Sequence, residues 1–292
     1  MKAGNFMFEN LNENQKLAVL HIEDSLKLGI NPICALSMGS GKTMVACKII
    51  HNTMTINKNY RILIVIKASN FKDPWMTELQ KTGCIIEKQV NSENSIKAKK
   101  TKNEENIIKK YEKFIYLHGI ERYIFYKINS NEYLLPGNNI FITSYDTLRI
   151  DIEENRYNLT DSFDLIIFDE LHKIINTTNH IKNLTALNKL KAFNKVALTG
   201  TPIQNDVPEM GLMYIFLNDH EKLNHYLLLS KQIKNILNDE EIEDINDLTE
   251  LEGVKSSILN INKDKNILLQ KGMDDCINKK AIFIHNKKKL IL

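Results

Sequence analysis

Hydrophobic positions along this chain keep two rhythms that alternate, and the alternation predicts a parallel sheet covered by helices on both faces. Leu11, Gln15, Ala18, Val19, Ile22 and Leu26 recur at helical spacing, which predicts an amphipathic helix over about residues 10 to 28. Asn31-Pro32 ends it, and Ile33-Cys34-Ala35-Leu36 is a short apolar run ahead of a glycine turn. Helical spacing returns in Met44-Val45-Ala46-Cys47-Lys48-Ile49-Ile50. Ile62 to Ile66, Ile140 to Thr143, Leu165 to Phe168 and Val196 to Leu198 are further apolar runs, as expected of strands buried on both faces. Asp73-Pro74 reads as an N-cap with proline in the first helical position, and Trp75 and Leu79 share one face of the helix it opens. Leu184, Leu187 and Leu190 mark another helix. Asp206 and Glu209 fit a capping box before the apolar face of Met210, Met213 and Phe216.

Two stretches break the rhythm. From about residue 84 to 137, Lys97, Lys99, Lys100, Lys102, Lys109, Lys110 and Lys113 crowd together with Glu93, Glu104, Glu105 and Glu112. A solvated charged insertion and a DNA-contacting surface both fit that pattern. Its aromatics, Tyr111, Phe114, Tyr116, Tyr123, Phe125 and Tyr126, either stack on bases or pack the insertion onto the core. Pro136-Gly137-Asn138 closes it. Past Leu217 the pattern is helical, with an acidic block at Asp239, Glu240, Glu241, Glu243 and Asp244 and a basic end around Lys279, Lys280 and Lys287 to Lys289. The organisation expected is a lobe over 1–217, interrupted at about 84–137, and a helical protrusion or linker over 218–292.

The polar residues at the ends of the apolar runs carry the chemistry. Met38-Gly39-Ser40-Gly41-Lys42-Thr43 joins a predicted strand to a predicted helix. Glycines let the backbone curl around a phosphate, and the helix N-terminus favours the anion. Lys42 would meet the β and γ phosphates of a nucleotide, and Thr43 would hold magnesium. Leu36 stands where the strict phosphate-loop pattern has its first glycine, so an ordinary glycine turn also fits. Asp169 and Glu170 end the run Leu165 to Phe168. Beside a phosphate loop, Asp169 could bind magnesium and Glu170 could orient and deprotonate water; away from one they are surface acids. In a parallel sheet all these positions share the carboxyl edge, where ligands bind.

Composition narrows the class. With 292 residues, 43% hydrophobic and 26% charged, the chain fits an α/β enzyme with ample core. A net charge of +3 is too mild to prove a nucleic-acid partner. No apolar run reaches membrane-spanning length, no signal-peptide core follows Met1, and no membrane partner is expected. Cys34, Cys47, Cys84 and Cys276 lack metal-ligand spacing and read as reduced thiols of an intracellular, unsecreted protein.

In order, these segments resemble the first RecA-like lobe of superfamily two helicases, most closely the Swi/Snf-type ATP-dependent DNA translocases, over about residues 8 to 217. Leu11-Asn12-Glu13-Asn14-Gln15 is similar to the entry motif whose glutamine reads adenine. Met38 to Thr43 is similar to the family's phosphate loop, Asp73-Pro74-Trp75 with Glu78 to its strand-to-helix element, and Thr143-Ser144-Tyr145 to a segment that touches the tracked DNA strand. Asp169-Glu170-Leu171-His172 resembles a DEAH-type box, with Asp169 on magnesium, Glu170 activating water and His172 coupling ATP state to the next motif. Ala197 to Asn205, centred on Thr199-Gly200-Thr201, is the most specific match and favours duplex DNA over RNA.

The resemblance therefore implies an α/β RecA-like lobe using ATP and magnesium, with DNA or RNA as partner and a second RecA-like lobe elsewhere supplying arginines. A DEAH-like RNA helicase half and a non-catalytic ATP-binding module are the other readings. The Ile66-Lys67 to Trp75 region also resembles poxviral nucleoside triphosphatases. Abundant Asn, Lys and Ile point to an AT-rich genome, so the expected location is a nucleus or a viral replication site.

Overall fold

The computed structural model describes residues 9, 11–57, 60–87, 111–112, 114–116, 140–154, 163–175, 180–201, 208–237 and 248–284. The lysine cluster before residue 111, the aromatics past Tyr116, residues 202–207, the acidic block and the basic end past Lys280 lie outside them. Described strands are β1 (Ile33–Ala35), β2 (Ile62–Ile66), β3 (Ile86–Glu87), β4 (Tyr111–Glu112), β5 (Phe114–Tyr116), β6 (Ile140–Ser144), β7 (Phe163–Asp169), β8 (Ala192–Thr199) and β9 (Ile282–Ile284). β3 and β4 pair antiparallel by themselves. The others form one parallel sheet in the order β5-β6-β2-β7-β8-β1-β9.

The helices are α1 (Glu13–Lys27), α2 (Lys42–Ile56), α3 (Thr77–Lys81), α4 (Tyr145–Glu153), α5 (His172–Ile175), α6 (His180–Leu187), α7 (Pro208–Asn218), α8 (His220–Leu237) and α9 (Leu248–Asn278). Successive strand residues point to opposite faces, so each apolar run feeds two cores. Ile62, Ile64, Ile66, Ile140, Ile142, Leu165 and Ile167 pack with Ala18, Val19 and Ile22 of α1, Val45 and Ile49 of α2, and Trp75 and Leu79. Leu63, Val65, Phe141, Ile166 and Phe168 pack on the other side with Leu148, Leu184, Leu187 and the buried run along α7. Burying each such side chain contributes roughly 1.5–3 kcal/mol.

Register then sets the working edge. Ala35 lies beside Thr199, Leu198 beside Asp169, Val65 beside Phe168, and Ile66 beside Ser144. The carboxyl ends of five adjacent strands thus form a row, as the sequence reading expects. Asp73 keeps an extended backbone (φ −139°, ψ 125°) and Pro74 follows it into the helical turn that carries Trp75.

Both outer strands come from stretches read differently in the sequence. β5 lies within the charged insertion, and its backbone extends the sheet beyond β6. Past Leu217 the expected helices are present, but the chain then returns to the sheet as β9, beside β1. Leu223, Tyr226, Leu268, Leu269 and Met273 share the core of α7, so this segment is built into the lobe.

Candidate functional site

The site begins where β1 ends. Ser37 to Ser40 turn back, with Ser40 donating to the Ser37 carbonyl through its backbone N–H (3.2 Å) and its hydroxyl (2.6 Å). Gly39 (φ 77°) and Gly41 (φ 82°) hold left-handed backbone that a side chain would strain. α2 starts at Lys42, so its unpaired N–H groups face the loop's concavity. Gln15 braces this turn from α1. Its Nε2 donates to the Ser40 carbonyl (2.9 Å), while its Oε1 accepts from the Asn12 N–H (2.9 Å), closing a capping box with Asn12. A Cβ on Gly41 would collide with that Gln15 amide.

Opposite the loop, β7 delivers two acids in different settings. Asp169 is buried, and its Oδ2 accepts from the Trp75 indole N–H (2.9 Å) and the Asn70 amide (3.3 Å). Its carbonyl accepts from the Tyr145 hydroxyl (3.0 Å). Burial raises the Asp169 carboxyl above its ordinary value against the pull of those donors, and the Glu170 charge adds to the rise. Glu170 sits at φ 54°, an uncommon backbone for a residue with a side chain. Its Oε1 is 3.3 Å from Lys42 Nζ, and its Oε2 accepts from the Gly200 N–H (3.1 Å) and lies 3.2 Å from His172 Nδ1. A Cβ on Gly200 would press on Lys42 Nζ and the Met38 side chain, so the glycine keeps β8 close to the loop.

His172 ties the acids to the end of β8. Its Nδ1 lies 2.7 Å from Thr199 Oγ1 and its Nε2 3.3 Å from Thr201 Oγ1. Desolvation lowers its pKa despite the opposing Glu170 charge, so the ring is neutral at pH 7. Because Nδ1 faces an acceptor-only carboxylate oxygen, the proton belongs on Nδ1 and Nε2 accepts from Thr201.

Two cavities open on this edge. One, of about 540 Å³, is lined by Gln15, Met38, Gly39, Lys42, Thr43 and both acids, with Asn70, Pro74 and Glu78 on the far wall. The other, of about 410 Å³, is rimmed by Lys67, Arg149, Lys173 and Lys182 around Tyr145 and Asp146. Asp169 and Glu170 line both and form the wall between them.

Every residue expected at a phosphate site, Gln15, Met38, Gly39, Ser40, Gly41, Lys42, Thr43, Asp169 and Glu170, is gathered here, with His172, Thr199, Gly200 and Thr201 beside them. Gln15 spends its amide on the loop and the helix cap. Thr143, Ser144 and Tyr145, expected to meet nucleic acid, lie together at the end of β6 but turn inward, at 1%, 4% and 6% exposure. Ser144 caps α4 by accepting from the Thr147 N–H (3.2 Å), and Tyr145 bonds to Asp169. α4 seals this strand end, and the cations rimming the second cavity face outward, with Tyr145 in the lining of that cavity. The sequence reading missed Asn70, and it set Trp75 on a helix face and in the strand-to-helix element without giving its indole a partner. A buried tryptophan needs an acceptor for its N–H, which was the available signal.

Comparison with known proteins agrees with this architecture. The family model described as SNF2-related domain matches residues 9–282. TATA-binding protein-associated factor BTAF1 of Arabidopsis thaliana is 39% identical over 81 residues, 28% of this chain and 4% of that protein. DNA repair and recombination protein RAD54B of Homo sapiens is 39% identical over 80 residues, 27% of this chain and 8% of that one. DNA excision repair protein ERCC-6-like of Danio rerio is 27% identical over 217 residues, 72% of this chain and 12% of that protein. The chain thus spans a small part of these relatives. Among solved structures, the Sulfolobus solfataricus SWI2/SNF2 ATPase core domain is similar in fold, with a TM-score of 0.54 at 19% identity, covering 96% of this chain and 44% of that one. The same core in complex with dsDNA gives 0.51 at 18%, covering 89% and 58%.

Proposed function

The chain belongs to the SNF2-related domain family, and from that premise we propose that it is the ATP-binding lobe of a motor that moves on duplex DNA. The observation that carries the reading is the meeting of Lys42 and Glu170 at 3.3 Å, between a glycine loop and a buried aspartate. Lys42 can exchange its carboxylate partner for the β and γ phosphates. Glu170 is then left with Gly200 and His172 on Oε2 and with Oε1 free to take a proton from water. His172 and Thr199-Gly200-Thr201 would report the state of that carboxylate to whatever binds beyond β8. Gln15 would meet the adenine by rotating from its loop contact.

Thr43 and Asp169 would hold magnesium, which when bound with nucleotide neutralises phosphate charge. The site fits it: both residues line one cavity, and both donors to Asp169 take Oδ2, leaving Oδ1 without a hydrogen bond among the described residues.

DNA is assigned to the second cavity, where Lys67, Arg149, Lys173 and Lys182 offer cations to a phosphate backbone. The proposed product is translocation; strand separation is not part of the proposal. A second lobe, in this protein or another chain, would bring arginines to the γ-phosphate, a contribution of about 10³ to 10⁵ in rate. α8 and the exposed part of α9 would be the protrusion, and the compartment is one that holds duplex DNA.

The test is ATP turnover alone and with duplex DNA, single-stranded DNA or RNA, for the wild type and Glu170→Gln. Stimulation by duplex DNA that the substitution abolishes supports the motor. Stimulation by RNA alone would give the DEAH-like RNA helicase reading instead. Nucleotide binding without turnover, even with a second lobe supplied, would leave an ATP-binding module.

A further inference from the structure

Asp169 is held by two donors from the segment that follows β2. Trp75 is fully buried, yet its one polar atom donates to Asp169 Oδ2 at 2.9 Å, and Asn70 donates to the same oxygen at 3.3 Å. Oδ1 takes no hydrogen bond among the described residues. Trp75 reaches this point because Pro74 opens its helical turn, and Leu79, one turn on, anchors that turn in the core. Two donors on one oxygen fix the carboxylate's rotation and leave the other oxygen for a cation.

We propose that Trp75 and Asn70 are positioning residues for the metal of a bound Mg·nucleotide, acting through Asp169. This rests on the nucleotide reading above. It adds that metal affinity is set by the segment joining β2 to α3, to which that reading gives no part in the chemistry. It also has a spectroscopic consequence. Trp75 is the chain's only tryptophan. Its indole N–H is bonded to the proposed metal ligand, so its emission reports the metal.

The experiment titrates Mg²⁺ into the full chain with a non-hydrolysable ATP analogue, reading Trp75 emission and, in parallel, a fluorescent analogue of the nucleotide. The wild type should show an emission change that needs both metal and nucleotide and that EDTA reverses. Trp75→Phe keeps the buried ring and loses the donor. It should raise the Mg²⁺ concentration for half-maximal analogue binding about tenfold, the low end of what losing a partner that orients a metal ligand costs. Asn70→Ala, at a half-buried site less prone to unfolding, should raise it by a smaller factor of about three.

Metal-dependent binding in the wild type with both variants unchanged overturns the positioning role, as does a silent Trp75 while the fluorescent analogue reports binding. Analogue binding that needs no metal in the wild type overturns the magnesium reading itself, and this inference with it.

Discussion

The carboxyl edge of the sheet and the helical segment of residues 208–284 are built on different principles. At the edge, side chains are placed by charge and hydrogen bonding: Glu170 satisfies Lys42, Gly200 and His172, and Asp169 satisfies Trp75 and Asn70. In the segment, position is set by packing: Met210, Leu212, Met213, Ile215 and Phe216 of α7 are all buried, and α9 crosses α7 glycine against glycine at Gly211 and Gly272. The first region tolerates no change of chemistry and the second no change of volume. Substitutions should therefore separate activity from stability.

The largest effect is expected at the edge. Glu170→Gln is nearly isosteric and keeps an oxygen for Gly200, so the fold should hold while DNA-stimulated turnover falls about 10³-fold, the scale of a general base. Steady-state hydrolysis measures the first and thermal unfolding the second. A variant that lost stability in proportion to activity would erase the distinction. Next comes Gly211→Leu, whose Cβ alone would collide with the Leu269 carbonyl. Overpacking of this kind costs about 3 kcal/mol. Urea unfolding should show the loss, with analogue affinity unchanged in the fraction that remains folded.

The same contrast explains how far the sequence could be read. Periodicity located β1, β2, β6, β7 and β8 because each is an apolar run bounded by turn residues, and their ends carried the site since parallel strands align there. β5 was hidden in a stretch whose charges dominate the pattern. β9 was hidden because Ile282-Phe283-Ile284 follows a long helix, carries no motif and pairs with a strand some 250 residues earlier, as the register Cys34 to Phe283 shows. Roles that depend on a partner distant in sequence were equally out of reach. Nothing local in Ser144-Tyr145 says that the tyrosine hydroxyl will meet the Asp169 carbonyl, and nothing in Ser69-Asn70 says that the amide will meet its carboxylate.

Gln15 spans the two kinds of construction, since it caps a helix and braces a loop. Gln15→Ala leaves the Asn12 cap on the residue-15 N–H and removes the acceptor for the Asn12 N–H, which should cost about 1 kcal/mol, the net worth of one hydrogen bond. It should also weaken analogue binding by more than that stability loss explains, because the Ser40 carbonyl loses its donor. Asn12→Ala is the control, removing the Asn12 half of the cap while leaving the Ser40 contact. Equal effects of the two on binding would mean that the brace does nothing.

The smallest effect expected is on pH dependence, and it tests whether the edge also contributes to stability. Burial holds His172 below its ordinary pKa of 6.5, so the unfolded chain binds the proton more readily than the folded one. Its contribution is therefore fully present above pH 6.5 and is lost as pH falls from there toward the folded value, by at most about 1.4 kcal/mol per pH unit. His21 and His51 are lowered too, by burial on the other face of the sheet, so the wild-type slope is a sum. His172→Gln isolates one part of it, and urea midpoints at pH 7.5 and 5.5 should draw closer together in that variant. Glu170→Gln should do the opposite. The carboxylate beside Nδ1 partly offsets the desolvation of the ring, and removing its charge lowers the His172 pKa further and steepens the acid loss. A slope unchanged in His172→Gln would mean that the ring takes up its proton as readily in the folded as in the unfolded chain, so that burial does not hold it down; a slope unchanged in Glu170→Gln alone would mean that the ring is already neutral across this range whatever its neighbour carries.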